Sequence, residues 1–213
     1  KPEDVDAYCD RGDLYRLMEE YELGLKDYEK AIEIDSTYWR PYNNRANVYY
    51  RMEDIDKAIN EYGRSINNST GAYGLSLSYR NRGILYEELG EIDKALSDYQ
   101  SAIDSDPKDA DNYEHRADLY QNLEKYNLAL IDYSKVIELN PDDVDAYCDR
   151  GDLYELIKEY ELGLKDYEKA IEIDPTYLRP YNNRAIIYEG LENFDKAIIE
   201  YGRSIDNSSD AYG

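Results

Sequence analysis

Arginine stands three residues after a tyrosine at six evenly placed points, Arg11, Arg45, Arg82, Arg116, Arg150 and Arg184. The tyrosines themselves, Tyr8, Tyr42, Tyr79, Tyr113, Tyr147 and Tyr181, are 34, 37, 34, 34 and 34 residues apart. A single globular core has no use for such a step; a row of repeated units, each burying one face against its neighbour, requires it. In every unit the fourth residue after the tyrosine is small, in the order Gly12, Ala46, Gly83, Ala117, Gly151, Ala185, and the seventh is again tyrosine (Tyr15, Tyr49, Tyr86, Tyr120, Tyr154, Tyr188). Steps of zero, four and seven share one side of a helix, so each unit opens with an amphipathic helix whose buried stripe reads aromatic, small, aromatic.

A second helical pattern follows after a short break. It carries a small residue (Gly24, Ala58, Ala95, Ala129, Gly163, Ala197), then tyrosine (Tyr28, Tyr62, Tyr99, Tyr133, Tyr167, Tyr201), then isoleucine (Ile32, Ile66, Ile103, Ile137, Ile171, Ile205). Small residues let two helix backbones approach, and the larger ones fill the space beside them. Pro107, Pro141 and Pro175 stand where the second helix must stop, whereas Pro41 and Pro180 suit the first turn of a helix.

In these residues the chain resembles the tetratricopeptide repeat family across six units, 5–38, 39–72, 76–109, 110–143, 144–177 and 178–211, with 73–75 inserted. The resemblance implies an all-α fold, a right-handed superhelix of antiparallel helix pairs whose first helices line a concave groove. Gly24 and Gly163 stand where the family usually has Ala, and Ser36 stands where the later copy has Pro175.

A longer repeat lies over the shorter one. Residues 1–74 align with 140–213 at 56 identical positions of 74, a four-unit block returning after 139 residues. Its three extra residues lie around 73–75, where Gly71 and Gly74 predict a longer connection that bends or spaces the stack. Pro2 falls one period before Ser36, which reads as the tail of an earlier unit, so a fragment of a longer array is expected. With no polar capping helix after the sixth unit, end-to-end self-association is expected as well.

Composition narrows the partners. Forty-eight acidic against 25 basic side chains give a net charge of −23, which repels phosphate backbones and anionic lipid, so neither nucleic acid nor membrane is expected as a partner. No apolar run is long enough to span a bilayer. Cys9 and Cys148 hold equivalent places in the two blocks. An elongated array keeps them beyond disulfide reach, which predicts free thiols and a reducing, cytoplasmic setting.

Nineteen residues after each first tyrosine stands an acid: Asp27, Glu61, Asp98, Asp132, Asp166 and Glu200. A ladder of Arg–carboxylate pairs between first and second helices is predicted, with the arginine stems covering the tyrosines. Of the 26 tyrosines, 18 occupy the three repeat positions and are expected in the core; of the other eight, only Tyr50, Tyr73 and Tyr212 are expected to be open for contact.

The groove face should carry the residues two before, and one, two and five after, each first tyrosine. These are Asp6, Cys9, Asp10 and Asp13; Arg40, Asn43, Asn44 and Asn47; Leu77, Arg80, Asn81 and Ile84; Asp111, Glu114, His115 and Asp118; Asp145, Cys148, Asp149 and Asp152; and Arg179, Asn182, Asn183 and Ile186. Asparagine amides can clasp a peptide backbone through donor and acceptor together, and the acidic bands select Lys or Arg. A non-catalytic scaffold binding an extended basic or mixed-charge peptide is therefore expected. The alternatives are a regulatory or targeting array of a larger enzyme and a spacer that self-associates end to end. The clamp by which chaperone-binding members hold an acidic tail finds only Asn44 in place, so that role is not expected. The acids around His115 lie on helical faces without a wrapping loop, and no phosphate loop, nucleophile–base pair or zinc spacing appears, so neither metal nor cofactor is expected.

Overall fold

A computed structural model describes residues 4–210. Among the described residues there are twelve α-helices and no strand: α1 (Val5–Leu17), α2 (Tyr21–Ile34), α3 (Arg40–Arg51), α4 (Ile55–Asn68), α5 (Ala72–Glu88), α6 (Ile92–Ser105), α7 (Ala110–Asn122), α8 (Tyr126–Leu139), α9 (Val144–Leu156), α10 (Tyr160–Ile173), α11 (Arg179–Gly190) and α12 (Phe194–Asp210). The all-α class is the one expected, and odd- and even-numbered helices are the first and second members of six pairs. Pro2, Ala211 and Tyr212 lie outside the described residues. The chain divides into two compact units, one running to His115 and the other starting at Arg116.

Local chemistry sets the helix ends. Asp4, Asp54 and Asp143 accept a bond from the backbone N–H three residues on, at 3.1, 3.4 and 3.0 Å, and so satisfy a donor that the first turn leaves open. Every first helix ends in a left-handed residue, Glu19, Glu53, Gly90, Glu124, Lys158 or Glu192, with φ between 56 and 72°. The next N–H then bonds back to the carbonyl of the unit's second tyrosine, as Glu20 does to Tyr15 at 2.9 Å. Only one of the six is glycine, so composition does not betray this turn. Second helices stop just before Pro107, Pro141 and Pro175, as the prolines predict, and α2 stops at Ile34 without one.

Residues 73–75 do not make a longer connection. They are helical, and they extend α5 to 17 residues. Gly74 permits this: a Cβ there would lie 2.7 Å from the Trp39 indole, which also packs edge-on against Tyr73. The extra turn is therefore docked on the preceding unit.

The core of each pair is built around the second-helix tyrosine. Tyr28, Tyr62, Tyr99, Tyr133 and Tyr167 are buried and Tyr201 is half-buried. Their hydroxyls reach carboxylates or an amide on the first helix: Tyr28 donates to Asp13 at 2.8 Å, Tyr62 to Asn47 at 2.6 Å and Tyr167 to Asp152 at 2.6 Å. First-helix tyrosines use the loop before them, Tyr42 donating to the Ser36 carbonyl at 2.9 Å and Tyr181 to that of Pro175 at 3.0 Å. A phenol fills an aromatic-sized hole and brings its own donor, so a chain with one Phe can still pack.

Two further buried rows escaped the stripe reading. The residue before the repeat isoleucine, Ala31, Ser65, Ala102, Val136, Ala170 or Ser204, is buried in all six pairs, while Ile205 is largely exposed. Val48, Leu85, Leu119, Leu153 and Ile187, six after the first tyrosine, are buried too. First helices contact the second helix of the preceding pair, α2 with α3, α4 with α5, α8 with α9 and α10 with α11, so they bury a wider arc than one partner explains.

Cys9 and Cys148 are free and fully buried, and burial pushes each thiol's pKa up to about 12. Thiolate is scarce at neutral pH, so labelling by an aromatic disulfide reagent is expected to run at least about 100-fold slower in native buffer than in urea. Equal rates in the two solvents would contradict the burial.

Candidate binding wall on the first helices

Arg40, in the first turn of α3, reaches across to α1. Its Nη2 bonds Asp10 at 2.6 Å and Asp13 at 3.0 Å, and Nη1 lies 3.7 Å from Asp6. Asn44, one helical turn on, donates to Asp13 at 2.8 Å, and the Tyr28 hydroxyl donates to the same Oδ1. The duplicated block rebuilds this cluster. Arg179 meets Asp149 and Asp152 at 2.6 Å each and Asp145 at 3.8 Å, with Asn183 and Tyr167 completing the shell of Asp152. Tyr38 donates to Asp6 and Tyr177 to Asp145, at 2.8 and 2.5 Å. Sequence reasoning missed these two tyrosines; their signal was an equal 32-residue spacing to an acid in both blocks.

Each cluster sets one guanidinium against three carboxylates, so two negative charges stay uncompensated. The side chains of Asp6, Asp10 and Asp145 are mostly in solvent, whereas Asp149 is held back and burial raises its pKa against the opposing pull of Arg179. Both arginines are held protonated by these neighbours.

Other predicted wall residues are spent on packing. Asn43 is 2% exposed and Asn44 9%; Asn43 donates to Asn44 at 3.2 Å and accepts from Asn81 at 3.1 Å. Neither buried asparagine offers an amide to a peptide, Asn183 gives its amide to Asp152, and the predicted row of backbone clasps is reduced to Asn47, Asn81 and the half-buried Asn182. Arg80 is likewise buried, against Asp109 at 2.6 Å, Asn112 at 3.0 Å and Asp111 at 3.3 Å. Cys9 and Cys148 belong to the core. Cys9, Asn43, Arg80 and Cys148 share the position one after the first tyrosine, which lies between neighbouring first helices rather than on their open side, while Asn44, one further on, is held by Asp13. Asp111 and Asp118 are exposed, Asp118 accepting from Tyr133 at 2.6 Å; Glu114 and His115 are half-buried, the imidazole stacked on Tyr99. Tyr50 is not open for contact, since it donates to Glu88 at 2.7 Å; Tyr73 is exposed. Among the described residues no three His, Cys, Asp or Glu side chains are grouped to hold a metal ion, and no helix is long and apolar enough to cross a membrane.

The predicted ladder is present in all six pairs: Arg11–Asp27, Arg45–Glu61, Arg82–Asp98, Arg116–Asp132, Arg150–Asp166 and Arg184–Glu200, at 2.6, 2.6, 2.7, 2.7, 2.7 and 3.2 Å. These arginines join the two helices of a unit.

Models of the tetratricopeptide repeat match residues 40–108, 144–177 and 166–199, and a TPR repeat model matches 12–53 and 122–158. Hsp70-Hsp90 organizing protein 3 of Arabidopsis thaliana is 33% identical over 67 residues, which is 32% of this chain and 12% of that protein. The chain thus spans a small part of that relative's length. The C-terminal part of a TPR repeat-containing protein from Cytophaga hutchinsonii superposes with a TM-score of 0.79 at 20% identity, covering 95% of this chain and 80% of that one. YrrB, described as a TPR protein with an unusual peptide-binding site, gives 0.60 at 24% identity, over 84% of this chain and 90% of its own. Six helix pairs in a 34-residue step, matched along most of their length by models of one repeat, place the chain in the tetratricopeptide repeat family.

Proposed function

We propose that the chain is a non-catalytic interaction scaffold whose first-helix wall holds an extended protein segment bearing lysine or arginine. The observation that carries this is the twice-built cluster of one arginine and three aspartates, which leaves carboxylate oxygens turned to solvent after internal pairing. Hsp70-Hsp90 organizing protein 3, similar over 67 residues, is named for organizing other proteins, a task of the same class. Basic side chains would replace water at Asp10, Asp111, Asp118 and Asp145, while Asn47 and Asn81 remain for the backbone. Attraction of this kind acts at a distance and weakens with salt.

The test is a fluorescent ten-residue peptide alternating Lys and Ala, with its Glu–Ala counterpart as control. The Lys peptide is expected to bind, and to lose about tenfold in affinity when Asp10 and Asp145, one in each cluster, both become Asn, since each cluster loses a charge-assisted contact. Those side chains are mostly exposed, so the fold should be untouched. Equal binding of the two peptides, or no effect of the double variant, overturns the reading. A second reading has its own observation: Phe194, Ile198, Ile199 and Ile205 on α12 are exposed, an apolar surface suited to self-association. It predicts a mass that rises with concentration and falls on Ile198→Lys.

A further inference from the structure

Thirteen arginines occur in the sequence, and eleven of them lie within ion-pair distance of a carboxylate. The two without one among the described residues, Arg16 at the end of α1 and Arg51 at the end of α3, line the same cavity. It has a volume of about 250 Å³, and Asn47, Tyr50, Tyr62 and Asn81 complete its polar lining. In a chain with nearly twice as many acids as bases, two guanidiniums sharing one hollow without a counter-ion is a conspicuous exception. Arg16 Nε is buried and has no hydrogen-bond partner, a costly state for part of a cation. Glu88, the acid beside the cavity, receives the Tyr50 hydroxyl instead. Asn47 gives its carbonyl oxygen to Tyr62, which leaves its N–H groups as donors. The lining therefore offers donors in excess of acceptors.

The duplicated block does not repeat this arrangement. Although the two blocks agree at 56 of 74 positions, Arg16, Asn47, Tyr50 and Arg51 are replaced by Glu155, Ile186, Glu189 and Gly190. Of the five lining residues that fall inside the block, only Tyr62 keeps its counterpart, Tyr201. The cationic hollow is thus a property of the first block alone, while the scaffold around it is shared.

We propose that this cavity is an anion subsite that takes one carboxylate of a bound peptide, held by Arg16 and Arg51 with Asn47 donating beside them. Every other arginine of the chain is satisfied by a carboxylate, and a single negative charge suits a hollow set in a protein of net charge −23 better than a doubly charged phosphate. The carboxylate comes from an acidic side chain or from a chain end. The site rests on the reading of the chain as a peptide-binding scaffold and shares Asn47 and Asn81 with it, but no aspartate of either cluster; loss of carboxylate binding in the arginine variants and loss of Lys-peptide binding in the aspartate variants are therefore separable results.

The test follows the Arg16 Nε–Hε resonance during titration with three probes: N-acetylglutamate with its main-chain carboxyl blocked as the methylamide, N-acetylglycine, and inorganic phosphate. Saturable binding of a carboxylate probe is expected, weakened about tenfold or more by Arg16→Gln or Arg51→Gln and unchanged by Arg64→Gln, whose guanidinium is committed to Glu61. In the Arg16→Gln protein the Asn47 side-chain amide reports instead. Tighter binding of the glutamate derivative assigns the source to a side chain, and tighter binding of N-acetylglycine to a chain end. Phosphate binding tighter than both overturns the carboxylate assignment, and absence of saturation, or equal affinity in the variants, overturns the site. Should Arg16→Gln fail to fold, Arg51→Gln, which removes an exposed side chain, carries the same decision.

Discussion

Asp98→Ala is expected to lower the unfolding free energy by about 3 kcal/mol, because it strands a largely buried guanidinium. Arg82 grips Asp98 through two parallel bonds, Nε to Oδ2 at 2.7 Å and Nη2 to Oδ1 at 2.9 Å, and the carboxylate is 7% exposed. The arginine lies 5.7 Å from the ring centroids of Tyr79 and Tyr86, so its stem and charge are walled by aromatic surface rather than water. An exposed pair of the same geometry would be worth less than about 1 kcal/mol, and the size of the loss therefore reports burial. Replacing both partners, Arg82→Met with Asp98→Leu, is expected to recover most of it, giving a coupling energy of about 2 kcal/mol in a double-mutant cycle. The readout is urea unfolding followed by circular dichroism and fitted with a nearest-neighbour scheme, since repeat arrays depart from two-state behaviour. Coupling indistinguishable from zero would show that the ladder fixes helix register without adding stability.

That ladder was legible because both partners recur at a constant offset; six occurrences of Arg with an acid 16 residues later leave one geometry, a bond between the helices of a pair. The helix pairs, their small-residue contacts and the proline stops were legible for the same reason. What failed was the assumption of a single buried stripe. Asn43 and Arg80 look like wall residues when only the partner helix is considered, yet the adjacent first helices enclose them. Tyr50 looked open because the 34-residue period says nothing about Glu88, a partner that occurs in one unit only. Gly71 and Gly74 read as loop formers, but Gly74 serves a close approach to Trp39, which a one-dimensional pattern cannot distinguish from a turn. The arginine-lined cavity was hidden most completely, since Arg16 and Arg51 break the repeat and a search for periodicity passes over what occurs once.

Tyr167→Ala should cost about 3–5 kcal/mol, in the range of large aromatic truncations in a closed core. The ring is fully buried among Cys148, Ala170 and Ile187, and it lies so close to α9 that a Cβ on Gly151 would come within 2.6 Å of it. The backbone on that side cannot move inward to fill the hole, because Gly163 already brings α10 against the Gly151 carbonyl, 3.0 Å from where its own Cβ would sit. Tyr167→Phe isolates the hydroxyl. Asp152 keeps Arg179 at 2.6 Å and Asn183 at 2.5 Å when the phenol is gone, so no carboxylate oxygen is orphaned and a loss of about 1 kcal/mol is expected. Burial and the Asp152 bond hold the phenol far above its ordinary pKa, so it stays neutral and the difference between the variants should not change between pH 6 and pH 9, a window chosen on that basis. Tyr201, at the same register in α12 but only half-buried, supplies the internal control: its alanine variant should lose less than about half as much, since less apolar area leaves water there on folding. Equal losses at the two tyrosines, or a phenylalanine variant as damaged as the alanine one, would mean that the hydrogen-bond network rather than the ring holds the helix pair closed.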